Sequence, residues 1–167
     1  MKLLFKDSDI FFEKEKPSLK RDAVQALLLI IMFSAMTAIT FYAGWVEFSF
    51  SYGTAEAMAW ITASSATGFI AVTALLSLIA FRRLDRKSLR AALFLMAYAA
   101  TPVMLLGWVP NGPVKIAGIL WSVVFLKVGL ETHSKKTGKE ALLAAFLTGG
   151  AAIALAALTE FYLIYYI

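Results

Sequence analysis

The chain has 167 residues, 60% hydrophobic and 16% charged, with a net charge of +5. A soluble domain is roughly half apolar and about a quarter charged, so this balance, with a mean hydropathy of +0.76, argues against a water-soluble fold and for lipid as the solvent. The absence of cysteine excludes disulfides, thiolate metal sites and a cysteine nucleophile.

The chain opens on a leader, residues 1–22, "MKLLFKDSDIFFEKEKPSLKRD". Its apolar clusters, Leu3–Phe5 and Ile10–Phe12, are spaced to share one helical face. Asp7 and Ser8 interrupt that face. Phe11, Phe12 and the nearby lysines suit a short cytoplasmic helix lying in the membrane interface. A frayed tail is the plainer alternative. Pro17 is expected to end this segment and to let Ser18, or the proline itself, start the next helix.

Crossing the hydrocarbon core takes about 20 mostly apolar residues. Five segments qualify: roughly Ala23 to Trp45, Ala57 to Phe81, Leu89 to Val109, Val114 to Leu130, and Glu140 to Ile164. The runs lack the alternation of a membrane barrel, and lipid leaves helices as the other solution. A signal peptide has a short charged leader and an apolar core of about 7 to 15 residues. Here both are longer, so the first span is read as retained.

The basic residues alternate from connection to connection. The leader holds six, "VEFSFSYGTAE" none, "FRRLDRKSLR" five, "PNGP" none, "ETHSKKTGKE" three and the tail "FYLIYYI" none, so 14 of the 16 fall on one side. Lysine and arginine collect in cytoplasmic loops. The N-terminus is therefore expected in the cytoplasm and the C-terminus outside, with five crossings. Tyr42, Trp45, Tyr52, Trp108, Tyr162, Tyr165 and Tyr166 fall at the expected outer boundary, where aromatic belts form. "VPNGP" reads as a tight turn joining spans three and four. In "THSKKTGKEA", Gly138 is expected to break the chain, and Glu140 to sit in the positive first turn of the last helix.

Several polar features fall inside the spans. Ser64, Ser65 and Thr67, in "TASSATGF", either pack helices closely or line a path for lipid or solute. Gly149 and Gly150 in span five raise the same choice. Pro102 should kink span three, as a hinge or as a fixed shape. Lys127 and Glu131, four apart, can pair on one helical face. Intramembrane charge points to function, although a lysine near the interface can snorkel. Lys115 and Glu160, near the outer boundary, read the same way. His133, alone, does not make a metal site. Neither a catalytic constellation nor a phosphate loop is present. The cations Arg82, Arg83, Arg86, Lys87, Arg90, Lys135, Lys136 and Lys139 either grip anionic headgroups, at about 1 kcal/mol each near the surface, or set topology alone.

From about Phe11 to Phe146 the order of features resembles the Yip domain family, the Ypt/Rab-interacting membrane proteins and their prokaryotic relatives. "FFEKEKPSLKRDAVQALLLII" is similar to the family's entry into its first span, and "SLRAALFLMAYAATPVMLLGW" to its third. "GILWSVVFLKVGLETHSKKTGKEALLAAF" carries Trp121, Gly129, Leu130, His133, Thr137, Gly138, Lys139 and Ala141 at matching positions. The resemblance implies five spans with a cytoplasmic N-terminus and no defined catalytic residues. Eukaryotic members are associated with vesicle traffic, membrane curvature and prenylated small GTPases. The leader here counts only 22 residues, so the GTPase association is not carried over.

The expected fold is all-α: a polytopic bundle of five transmembrane helices, residues 23–167, behind the cytoplasmic segment 1–22. The expected function is non-enzymatic, without cofactor or metal, through contacts with anionic lipids, a second copy of the chain or other membrane proteins, and not with nucleic acid. A small transporter or channel subunit using Ser64, Ser65, Thr67, Pro102, Lys127 and Glu131 is the alternative.

Overall fold

The computed structural model describes residues 17–42, 54–107, 109, 111–134 and 136–166. Among these residues all regular structure is helical. The expected interfacial helix before Pro17, together with Trp45, Tyr52, Trp108 and Lys135, lies outside the described residues.

Helix α1 spans Leu19–Tyr42. Ser18, rather than Pro17, caps it. The Ser18 N–H donates to Asp22 Oδ2 at 2.7 Å, and the Asp22 N–H donates back to the Ser18 carbonyl at 2.8 Å. Asp22 is fully buried, with Oδ1 3.3 Å from Arg21 Nε. A carboxylate in the first turn also meets the positive end of the helix dipole.

Helix α2, Thr54–Leu76, runs on into a single π turn, Ser77–Phe81. The turn ends at Arg82, which adopts the left-handed conformation with φ 56°. Buried Ser77 donates from Oγ to the Arg83 carbonyl at 2.6 Å. That bond satisfies a carbonyl where the chain reverses beside an apolar interior. Asp85 then caps helix α3, Arg86–Ala99, accepting the Ser88 N–H at 2.7 Å.

The third span is broken once. Helix α3 stops before Ala100, and a short helix α4, Thr101–Leu106, continues it with Pro102 in its first turn. Proline has no N–H, and its ring crowds the preceding turn. One residue on, the Val103 N–H donates to Ser122 Oγ at 3.1 Å, so a side chain from the next helix supplies an acceptor at the break. Asn111 Oδ1 accepts the Val114 N–H at 3.3 Å and opens helix α5, Gly112–Ser134. Helix α6, Gly138–Tyr166, starts on the backward half of a capping box, in which the Thr137 N–H donates to Glu140 Oε2 at 3.2 Å. Gly138 is thus the first residue of the last helix and not a break before it, and α5 has already ended at Ser134.

Helix α3 sits deepest, against α1, α2 and α5, while α6 packs on α2 and α5. Phe94, Leu95, Ala92 and Ala97 of α3 are fully buried beside Leu76, Leu130, Ala141 and Ala145 from the surrounding helices. Lipid tails are as apolar as leucine, so helices in a bilayer associate through close packing, and small residues allow it. The alanines of α3 fit that requirement. Elsewhere large apolar residues such as Leu28, Ile70, Leu120 and Leu143 point outward.

Four helical stretches are long and apolar enough to cross a membrane: Ala59–Phe81, Arg86–Leu106, Gly112–Ser134 and Gly138–Leu155. They correspond to the second to fifth expected spans, each helix beginning two or three residues earlier than read. The first expected span corresponds to α1.

Candidate functional site

Two contacts gather the basic connections. Arg90 Nη2 donates to the Pro17 carbonyl at 2.7 Å, joining the start of α3 to the start of α1. One helical turn further along α3, the Phe94 ring meets His133 in the last turn of α5, centroids 5.1 Å apart and planes at 78°. The segment entering α1, the loop 82–90 and the connection between α5 and α6 therefore share one end of the bundle. Arg82, Arg83, Arg86, Lys87, Arg90 and Lys139 are exposed there, and Lys136 is half-buried. Asp85 lies among them. Its carboxyl is held below the ordinary 3.8, first by the hydrogen bond from the Ser88 backbone and then by the Ser88 side chain; desolvation opposes them, and the charge of Arg83 and the Lys87 backbone add to the lowering.

Beneath this cationic surface runs an open groove of about 930 Å³. It is bounded by the start of α1 at Ser18 to Lys20, by α2 from Phe69 to Ala74, and by α3 from Arg86 to Leu93. A second groove of about 390 Å³ lies at the helix break, between Pro102, Tyr98, Trp121 and Phe125.

The Lys127 and Glu131 side chains form an ion pair, Nζ to Oε1 2.9 Å, each about a third exposed. The start of α6 lies close to that carboxylate: a β-carbon on Gly138 would stand 3.0 Å from Glu131 Oε1. His133 adds an aromatic contact through Phe94, which also stacks edge-on with Tyr98 at 5.1 Å.

Two of the candidate hydroxyls of span two are used within their own helix. Ser64 Oγ donates to the Ile61 carbonyl at 3.1 Å and Thr67 Oγ1 to the Ala63 carbonyl at 2.8 Å. Neither groove is lined by Ser64, Ser65 or Thr67. Of the sequence candidates, Arg86, Lys87 and Arg90 converge on the larger groove and Pro102 on the smaller. Lys127, Glu131 and His133 cluster around the end of α5.

Two residues that matter here, Asp22 and Ser122, escaped the sequence reading. Asp22 stands four residues after Ser18, one more than the capping-box spacing, so its bond to the Ser18 N–H is visible only in the structure. Ser122 acts through a partner 19 positions away, which nothing local marks, and Pro17, read only as a helix boundary, accepts from a partner 73 positions away.

Comparison with protein families matches residues 1–159 to the Yip1 domain. No curated protein and no solved structure matches the chain.

Proposed function

The chain belongs to the Yip1 domain family and is a multi-pass integral membrane protein, and from that premise we propose that it works without catalysis, by contact with lipids and neighbouring membrane proteins, in a membrane-organising or trafficking-like role. In this reading α1 is a fifth crossing, the basic end faces the cytoplasm and the C-terminus lies outside. The observation that carries it is the convergence of three basic connections on one end, tied by the Arg90–Pro17 and Phe94–His133 contacts. A surface of that charge attracts the anionic cytoplasmic leaflet. The hydroxyls of Ser64 and Thr67 are bonded to their own helix and line neither groove, which favours this reading over a solute path.

The test has two arms. Gentle extraction from native membranes, followed by mass spectrometry of what remains bound, should recover anionic lipids and membrane proteins with the chain. Proteoliposomes loaded with ions or small solutes should leak no faster than protein-free vesicles. Selective flux, abolished by altering Ser64, Thr67 or the Lys127–Glu131 pair, would replace this reading with the transporter one.

A further inference from the structure

The larger groove has two halves of opposite chemistry. Its floor is apolar, formed by Phe69 and Ile70 of α2 with Leu89 and Leu93 of α3. Ile70 is 68% exposed in the middle of a membrane-crossing helix, so its surroundings are acyl chains. The rim is cationic, with Lys20 at the start of α1 and Arg86, Lys87 and Arg90 on α3, all exposed. The nearby acids are engaged elsewhere: Asp22 is buried against Ser18 and Arg21, and Asp85 caps Ser88. Arg90 commits a donor to Pro17, which fixes its guanidinium at the groove while leaving most of its five N–H donors for another acceptor.

We infer that this groove seats one anionic diacyl phospholipid, with an acyl chain along Phe69, Ile70, Leu89 and Leu93 and the phosphate held between Arg86, Arg90 and Lys20. Guanidinium groups bind phosphate through paired hydrogen bonds, and two of them stand on one face of α3 a single turn apart. A free anion would use the rim alone; the apolar floor beneath the rim selects a molecule with a tail. The inference rests on the contact function proposed above and names the lipid class and the residues that recognise it.

Native mass spectrometry of the full chain, in neutral detergent with equal amounts of phosphatidylglycerol and phosphatidylcholine of the same acyl composition, tests it. One phosphatidylglycerol should be retained preferentially. Arg86→Gln and Lys20→Gln should each weaken that retention about fivefold. Ala74→Trp, which fills the groove and leaves the charges in place, should lower retention of both lipids. Arg82→Gln with Arg83→Gln, on the same loop outside the groove, should change nothing. Equal retention of the two lipids would overturn the assignment. So would an equal loss from the Arg82 and Arg83 pair, which would mean diffuse attraction, or displacement by glycerol phosphate as readily as by intact lipid. Those failures leave the general contact function standing, because that reading falls on solute flux.

Discussion

Arg90 and Pro17, 73 positions apart, are joined by a 2.7 Å hydrogen bond from a guanidinium to a backbone carbonyl. Proline has no N–H to offer a helix, but its carbonyl is free to accept. The bond ties the entry of α1 to the entry of α3, two of the three places where basic residues precede an apolar run. Together with the Phe94–His133 contact, it gives the charge alternation of the sequence a three-dimensional counterpart.

The helix break at Pro102 is held from outside. Ser122→Ala removes the acceptor that the Val103 N–H uses at 3.1 Å. An amide left unsatisfied in an apolar interior costs about 1–3 kcal/mol. Thermal unfolding in detergent should show a lower midpoint for this variant, while Ser122→Thr, which keeps a hydroxyl, should lie closer to the parent. An unchanged midpoint for the alanine variant would mean that another acceptor serves Val103.

Close approach at the same break depends on Gly118. A β-carbon there would stand 3.2 Å from the Pro102 carbonyl oxygen and 3.2 Å from Leu106 Cβ. Neither neighbour is the far end of a flexible side chain, so Gly118→Ala must push α5 away from α4. Gly68 has nothing within 4 Å of the corresponding position, and alanine favours a helix by about 1 kcal/mol over glycine. Gly118→Ala should therefore lower the midpoint and Gly68→Ala should hold or raise it. Equal effects of the two substitutions would contradict the packing argument.

The Lys127–Glu131 pair is close but partly exposed. Such pairs contribute about 0–1 kcal/mol, and salt screens them. Replacing both together, Lys127→Met with Glu131→Gln, should shift stability little. A large loss would show that the pair holds the end of α5 against the start of α6 more firmly than its exposure implies.

Stability at the start of α3 should depend on acid. The folded-state carboxyl of Asp85 is held below the ordinary 3.8 by Ser88, so unfolding makes it a stronger proton acceptor. Its contribution is complete above the unfolded value and fades as pH falls through the folded one. Amide exchange at Ser88 should speed up in acid, beyond the intrinsic pH dependence measured on a matching peptide. Asp85→Asn, which still offers a capping oxygen, should abolish that excess. An excess that persists in the asparagine variant would assign the acid sensitivity to another group.

Much of the fold was legible because lipid imposes a coarse, long-range pattern. Runs of about 20 apolar residues separated by charged or turn-forming connections mark helices with little reference to side-chain detail. The proline break at 102 was equally visible, since backbone chemistry alone dictates it. The π turn before Arg82 and the Ser77–Arg83 bond were not. They depend on how one connection closes over the core, and the sequence there reads as an ordinary apolar helix end followed by charge. The cations of "FRRLDRKSLR" were legible as a group, but their division was not: Arg86, Lys87 and Arg90 face the groove while Arg82 and Arg83 do not line it. Arg86, Lys87 and Arg90 ride on α3, whose rotation is fixed by the Asp85 cap and the burial of Phe94 and Leu95, whereas Arg82 and Arg83 precede that helix, just after the π turn.

Membrane topology tests the account most directly, and the absence of native cysteine makes the measurement clean. Single cysteines at Arg86, Lys136 and Asn111 would be labelled in sealed, oriented vesicles with a membrane-impermeant maleimide. The proposed arrangement puts the first two on the cytoplasmic face and Asn111 on the other. Labelling of positions 86 and 136 from opposite faces would contradict it.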